Sequence, residues 1–243
     1  MRSQEIPANQ SPGNPALLYV QPRSTNETDY LTNRRNQHLR YPGKVPSGDA
    51  RVQQDARQPA PRRLTKANKP SSIPTTSKLL RAADTFQIPT YVTTQNRARL
   101  GDTIGELQRH LTGAHVKANL DKTLFSMITP ELEALLPKPE VSPVDAIIVG
   151  IETHICVTQT ALDLLERGDR VYVIVDGVTS VNPEERGIAL ARLRDAGAIV
   201  TSSESILFEI LGDASHANFK AVNTLIKEFK EDTKASLGAL AKM

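Results

Sequence analysis

With 243 residues the chain is long enough for one α/β domain with a sizeable core, and no apolar run approaches the length of a membrane span. Its single cysteine excludes an internal disulfide, and no Cys/His cluster has metal-ligand spacing. Residues 1–76 carry 12 Lys/Arg and 5 Asp/Glu, which gives them a net charge of +7. The whole chain has a net charge of +3, so residues 77–243 have a net charge of −4. A basic tail can bind nucleic acid or an acidic membrane, but the absence of an aromatic stacking pattern favours a solvated segment.

The amino-terminal third has a composition that disfavours folding. Residues 1–76 hold 10 of the 16 prolines and few large aliphatic side chains, so they cannot bury enough apolar surface to offset the entropy of ordering. One exception is the apolar run at 14–20, which predicts a buried strand between turn residues. We therefore expect a disordered tail at 1–13, a remnant first strand at 14–21 and a disordered or aberrant segment at 22–76.

From residue 77 onward, strand patterns alternate with helix patterns. Strands are predicted at 88–93, 144–149, 170–175 and 198–201, and helices at 78–86, 130–136, 153–167, 183–196, 205–211 and 218–228. Thr129 and Asn182 have the chemistry of helix caps, and Gly168 and Gly197 follow two helix ends. Strands separated by helices predict a parallel sheet with right-handed crossovers, in a domain at 77–230 followed by a C-terminal tail at 231–243.

The only cysteine, Cys156, lies just after the predicted strand at 144–149, on the first turn of the helix predicted at 153–167. A helix N-terminus stabilises anions, so a cysteine there tends to lose its proton. Open α/β sheets also bind ligands at the carboxyl ends of their strands. Position and chemistry both indicate a nucleophile. A buried structural cysteine is the alternative, because free cysteine is among the most buried residue types.

The segment GIETHICVTQTALDLL at 150–165 resembles the cysteine-containing segment of isochorismatase-like hydrolases, and in particular of the eukaryotic isochorismatase-domain proteins. The likeness extends from about residue 77 to about residue 230. It includes TTQN at 93–96, KTLFSM at 122–127, VDGVTS at 175–180 and TSSES at 201–205. The resemblance implies a three-layer α/β/α sandwich with a mostly parallel sheet. It also implies a catalytic triad of a cysteine, a lysine and an aspartate.

By this resemblance Cys156 is the nucleophile and Lys122 is the triad lysine, whose ammonium would favour the thiolate. On composition alone Lys122 would be an ordinary surface lysine. The resemblance further implies a cis peptide bond between Ile151 and Glu152. In the family this kink aims two backbone N–H groups, here those of Glu152 and Cys156, at an oxyanion. The side chain of Glu152 has no role in this interpretation.

Three polar residues are candidates for binding substrate. Gln95 and Asn96 follow a predicted strand end, so they either line the pocket or simply cap the strand. His154 is close to Cys156 in sequence, but on a helix the two side chains diverge by about 200°. We therefore favour His154 as a wall of the substrate site, or as a polar first-turn residue, over a catalytic base. Asp176 also follows a strand, and the resemblance gives its segment a supporting role.

The resemblance fails at the triad aspartate. The family's aspartate ends the first strand, and NPALLYVQ at 14–21 places Gln21 where that aspartate is expected. From Pro22 to about residue 73 the likeness is lost. Either this stretch is a gene-model error, such as a retained intron, or it belongs to a real variant that lost its acid/base. Three carboxylates lie there without a matching motif: Asp29, Asp49 and Asp55.

The implied function is cysteine-dependent hydrolysis of a small molecule at an amide or related bond, impaired by Gln21. An inactive isochorismatase-fold protein that acts by binding or oligomerisation is the alternative. The metal site of the related nicotinamidases, an Asp with two His, finds no counterpart in the sequence. We expect no cofactor, no metal, no nucleic-acid or membrane partner, and a homo-oligomer. A polar amino terminus without a signal-peptide core predicts a cytoplasmic location.

Trypsin is expected to cleave residues 22–76 rapidly, because the segment combines many Lys and Arg sites with weak apolar content. The chain from residue 77 onward should resist for longer. Limited proteolysis followed by mass spectrometry measures both rates in one sample. Equal protection of the two parts would mean that the basic segment packs onto the domain and that the boundary at 76 is misplaced.

Overall fold

The computed structural model describes the backbone of residues 16–22 and all atoms of residues 72–240. The tail predicted at 1–13 and nearly all of the segment predicted at 22–76 lie outside the described residues. The described strands form one six-stranded sheet in the order β3-β2-β1-β4-β5-β6. Their bounds are β1 Ala16–Pro22, β2 Thr90–Gln95, β3 Val116–Lys122, β4 Val144–Ile151, β5 Arg170–Thr179 and β6 Ile199–Thr201.

Helices connect most of these strands. They are α1 Ser72–Phe86, α2 Arg97–Leu100, α3 Gly105–Gln108, α4 Pro130–Glu133, α5 Thr158–Glu166, α6 Pro183–Asp195, α7 Ser203–Leu211, α8 Phe219–Glu228 and α9 Lys230–Leu240. A π-helical segment, Thr153–Val157, leads directly into α5. None of the helices described is long and apolar enough to cross a membrane.

The sheet is buried on both faces, which confirms the three-layer sandwich. Successive residues of β4 belong to two separate cores: Ala146 and Ile148 pack on one face, and Ile147 and Val149 on the other. This alternation follows from the two-residue period of a strand. The first core is closed by side chains of α4, α5 and α6, and the second by side chains of α1, α3, α7 and α8.

The first strand runs against its neighbours. β1 pairs antiparallel with both β2 and β4, whereas β2 with β3, β4 with β5, and β5 with β6 are parallel. The sheet is therefore mostly parallel, as predicted, with one reversed strand at its centre. In this register Gln21 lies opposite Asp145, near the start of β4. An antiparallel strand ends where its neighbours begin, so Gln21 lies at the amino ends of β2 and β4 rather than at their carboxyl ends.

Several predicted elements differ in extent from those observed. α1 begins at Ser72 rather than at residue 78, and β5 continues through Gly177 to Thr179. The helix predicted at 153–167 is confirmed as helical, but its first turn is π-helical. Thr129 caps α4 as predicted, since its side chain accepts a hydrogen bond from the Leu132 N–H. Asn182 precedes α6 without a side-chain capping bond, which corrects the predicted cap.

The carboxyl-terminal residues, where we placed the domain end and a tail, include the helix α9. It packs on α1 and β5 through buried polar contacts. The Nζ of the fully buried Lys78 donates to Thr233 Oγ1 at 2.7 Å. The Arg186 guanidinium donates to the carbonyl oxygens of Val175 and Leu240, and so joins β5 to the end of α9. Burial lowers the pKa of Lys78, and the nearby Asp176 carboxylate opposes that effect.

Candidate active site

Cys156 lies at the carboxyl edge of the sheet, in the π-helical segment that follows β4, and is buried at 8% exposure. The peptide bond between Ile151 and Glu152 is cis, as the resemblance implied. Two threonines fix the segment. Thr153 Oγ1 donates to the Thr179 carbonyl at 2.9 Å, and Thr158 Oγ1 donates to the Thr153 carbonyl at 2.6 Å. The thiol is therefore held at the strand end where the sequence predicted it.

Lys122 ends β3 and is also buried, at 6% exposure. Its Nζ donates to Gln95 Oε1 at 2.6 Å, to the Leu124 carbonyl at 2.8 Å and to the Phe125 carbonyl at 2.9 Å. Three acceptors match the three N–H donors of an ammonium group. Burial lowers the pKa of Lys122, while the negative charges of a Cys156 thiolate and of Asp121 act in the opposite direction. The structure thus brings together Lys122 and Cys156.

Gln95 lies beside Lys122 because β2 and β3 pair them in register. Its Oε1 accepts from the Lys122 ammonium, and its Nε2 donates to the Thr123 carbonyl at 2.7 Å. Both ends of the Gln95 amide are therefore used in hydrogen bonds that position Lys122 and the loop that follows it. Sequence reasoning offered Gln95 only as a pocket wall or a strand cap, and it missed this positioning contact.

Asn96 turns the chain away from the sheet at the end of β2. Its backbone adopts a left-handed conformation with φ 47°, and its N–H donates to the Lys122 carbonyl at 2.8 Å. The side chain makes no capping hydrogen bond to α2 and is half-buried. Asparagine tolerates this backbone conformation better than most residues do. The half-buried amide lies next to the site, in the position predicted for a substrate-binding side chain.

His154 faces the loop that follows β5. Its Nδ1 lies 3.1 Å from Ser180 Oγ and 3.8 Å from Glu152 Oε2. Glu152 Oε2 also accepts from the Val181 N–H at 2.8 Å. The Glu152 side chain, to which the sequence interpretation gave no role, therefore ties this loop to the cysteine segment. The contacts of His154 agree with a wall of the site.

A hydroxyl joins the lysine loop to the cysteine helix. Thr160 Oγ1 donates to the Cys156 carbonyl at 2.7 Å and accepts from the Met127 N–H at 2.9 Å. Met127 and Thr160 are fully buried. The loop that follows Lys122 is thus attached to the turn that carries the thiol. Thr160 lies within the recognised cysteine segment, but nothing in the sequence pattern distinguished it from a core position.

Two carboxylates near the site, Asp121 and Asp176, accept hydrogen bonds from groups other than the Cys156 thiol and the Lys122 ammonium. Asp121 Oδ1 accepts from the Arg97 N–H at 2.9 Å and from Thr94 Oγ1 at 3.1 Å, and these bonds hold the pKa of Asp121 below its usual range. Asp176 is fully buried and accepts from the N–H and the hydroxyl of Ser203, which agrees with a supporting role. Within the described ranges no cluster of three or more His, Cys, Asp or Glu residues could hold a metal.

Comparisons with known proteins agree with this geometry. The isochorismatase domain profile matches residues 52–205. The secreted isochorismatase effector Isc1 of Phytophthora sojae is 41% identical over 159 residues, which are 65% of this chain and 76% of that protein. Isochorismatase domain-containing protein 2 of Bos taurus is 39% identical over 157 residues, covering 65% of this chain and 74% of that protein.

Solved structures show the same fold. A structure described as the MAR1 ribonuclease of Caenorhabditis elegans has 40% identity and a TM-score of 0.60, and it covers 65% of this chain and 79% of its own. The YcaC protein of Escherichia coli, described as an octameric hydrolase of unknown specificity, has 23% identity and a TM-score of 0.57 over 70% of this chain and 83% of its own, and it supports the fold alone. The sequence match and the architecture together establish that this chain belongs to the isochorismatase family.

Proposed function

We propose that this chain is a cysteine-dependent hydrolase of a small molecule and that its catalytic power is impaired. The observation that carries the proposal is the pairing of Lys122 with Cys156. A buried ammonium held by three oxygens lies close enough to Cys156, the only cysteine, for their charges to interact. A cation fixed next to a cysteine favours the nucleophilic thiolate. Family membership supports hydrolysis as the reaction class.

In the proposed reaction the Cys156 sulfur forms a bond to the carbonyl carbon of an amide or related substrate. The carbonyl π electrons move to oxygen, and the backbone N–H groups of Glu152 and Cys156 would donate to this oxyanion. The tetrahedral intermediate then expels the leaving group, which must take up a proton. Water finally hydrolyses the thioester and releases the acid product. Gln95 holds Lys122, while Asn96 and His154 line the space where substrate enters.

We propose that transfer of a proton to the leaving group is the step that is impaired. In the family an aspartate supplies it, but here Gln21 stands at that sequence position and its backbone pairs with Asp145 at the opposite edge of the sheet. Asp121, the carboxylate whose charge acts on Lys122, is already bound by Thr94 and the Arg97 N–H. The alternative is therefore an inactive isochorismatase-fold protein that acts by binding or oligomerisation, and the reversed strand is the observation that favours it.

The proposal extends to the substrate class and the cellular location of the protein. The name of one related structure suggests RNA as a substrate, but residues 77–243 carry a net charge of −4. Binding to a phosphate backbone depends on positive charge, so we propose a small-molecule substrate, with neither nucleic acid nor membrane as a partner and with no cofactor. We propose a cytoplasmic location for the protein.

The first test concerns the thiolate. Lys122→Met should slow alkylation of Cys156 by iodoacetamide at neutral pH by about tenfold, because the reactive thiolate form loses an adjacent stabilising cation. Lys117→Met is the matched control, since Lys117 lies exposed on the same strand and its Nζ donates to the Ala114 carbonyl at 2.9 Å. Equal alkylation rates in the two variants would remove the lysine from the proposed mechanism.

A second test measures turnover. On small amides, this chain should be about 10² to 10⁴ times slower than an intact relative, because general acid–base catalysis supplies a factor of that size. Replacing residues 21–76 with the aspartate-containing segment of a relative should restore turnover, and Cys156→Ala should abolish it again. Wild-type turnover that matches the relative would contradict the impairment. A restored chain that remains active as Cys156→Ala would contradict the nucleophile.

A third test concerns self-association, for which the rim of the site offers an apolar surface. Leu124 and Phe125 are each 50% exposed, and their carbonyls accept hydrogen bonds from Lys122. We propose that this pair contacts a second copy of the chain. Light scattering should show a homo-oligomer that the Leu124→Ser/Phe125→Ser variant weakens, whereas Val141→Ser, at a position 82% exposed elsewhere, has no effect. A wild-type monomer at micromolar concentration would refute this proposal.

A further inference from the structure

A second cavity lies at the opposite edge of the domain from Cys156. It has a volume of about 380 Å³ and opens between α1, α8 and the loop at 109–115 that precedes β3. The Thr90 N–H donates to the His115 carbonyl at 2.8 Å, which places this loop at the amino ends of β2 and β3. The seven residues of β3 separate it from Lys122 by about 20 Å. We refer to it as the basal cavity.

The basal cavity contains a buried histidine without a hydrogen-bond partner. The imidazole of His115 is 1% exposed, and neither of its ring nitrogens makes a hydrogen bond within the described structure. Its Nδ1 lies 3.1 Å from Asp84 Oδ1, but outside hydrogen-bond geometry. The ring also packs on Gly113, where an added Cβ would come within 2.4 Å of Nδ1. Buried polar groups are normally satisfied, so this ring is an unsatisfied polar group in the wall of the cavity.

Two arginines line the cavity, Arg81 and Arg109, and they differ in their hydrogen-bond partners. Arg81 is paired with Glu228 through two contacts of 2.5 and 2.8 Å. Arg109 is exposed, and its Nε donates to His110 Nε2 at 3.3 Å. Arg109 lines the cavity, and this bond uses its Nε and not its terminal nitrogens. The pKa of His110 is lowered first by burial and then by the charges of Arg109 and Arg81.

The remaining lining combines hydroxyl groups with an apolar floor. Thr112 and Thr224 contribute hydroxyls, and Leu80 and Leu225 contribute apolar surface. Asp84 adds one negative charge at the mouth, where its side chain is 62% exposed. Glu228 already offsets Arg81, and among the residues that line the cavity Asp84 is the carboxylate. A pocket of a few hundred Å³ with an apolar floor and a few converging polar groups is typical of small-molecule sites.

We propose that the basal cavity binds a small organic oxyanion, a phosphate monoester or a carboxylate, whose apolar body lies on Leu80 and Leu225. The guanidinium of Arg109 binds the anionic oxygens, for which its planar donors are suited. An N–H of the His115 ring donates to a ligand oxygen and thereby satisfies the buried imidazole. The Thr112 hydroxyl adds a further donor, whereas the Thr224 hydroxyl already donates to the Lys220 carbonyl at 2.9 Å and can only accept. This site is separate from the catalytic centre and does not depend on the proposed reaction.

Calorimetric titration of the full chain with phenyl phosphate and with benzoate, at constant ionic strength, tests this proposal. At least one of the two should bind with a dissociation constant of about 1 mM or below, and the comparison distinguishes phosphate from carboxylate. Arg109→Gln should weaken binding by about tenfold or more, since a charge-assisted contact is lost. Arg192→Gln removes the same charge from an exposed position on α6 and should leave binding unchanged.

Two further variants test the buried ring. His115→Phe removes both nitrogens while it keeps the ring, and Gly113→Ala displaces the ring through its new Cβ; each should reduce binding as Arg109→Gln does. Because Arg109 is exposed, its variant remains informative if His115→Phe fails to fold. No binding of either probe would overturn the proposal. Binding that is lost in Lys122→Met but retained in Arg109→Gln would also overturn it, since the anion would then lie at the catalytic centre.

Discussion

The arrangement of the active site depends on one buried ammonium. Taking the charge of Lys122 out of water is unfavourable, and it is tolerated only where hydrogen bonds replace the lost solvation. The three oxygens that do so come from β2 and from the loop after β3. Their convergence requires that Gln95 and Lys122 pair in register and that the chain turn sharply at residues 123–125. The register of two strands therefore places the lysine beside Gln95, and the Thr160 hydroxyl links the loop after the lysine to the turn that carries the thiol.

The parallel strands also separate the two sites of the molecule. Their carboxyl ends carry Gln95, Lys122 and the segment around Cys156, whereas their amino ends border the basal cavity. Asp176 lies in neither site. It satisfies the N–H and hydroxyl of Ser203, and its charge opposes the effect of burial on Lys78 and Arg186. This buried polar cluster joins α1, β5 and α7. Asp176 therefore stabilises the packing of these elements and takes no part in the site around Cys156.

Strands and helices with a clear apolar pattern could be predicted from the sequence, whereas those with polar or partly exposed residues could not. β4 is strongly apolar and lies in the sheet interior, so its pattern was unambiguous. β3 was missed because its residues alternate between half-buried and exposed, with Lys117, Asn119 and Asp121 on the exposed side. The first turn of α1 was missed because Thr75 and Thr76 are polar, and their burial depends on tertiary contacts such as the one from Thr75 to Asp176. The role of Gln95 likewise depends on strand register, which composition does not specify.

The direction of β1 is the feature that sequence similarity could least anticipate. A short apolar strand pairs equally well in either direction, because its side chains alternate in the same way. Matching residues 14–20 to a family motif therefore identifies a strand without fixing which end reaches the site. In the observed register an aspartate at position 21 would lie opposite Asp145, which already binds Arg170 at 2.6 and 2.8 Å. Like charges opposite one another in a sheet are unfavourable. Recovery of a triad carboxylate thus requires the strand to reverse, and that depends on the connection that follows it rather than on residue 21 alone.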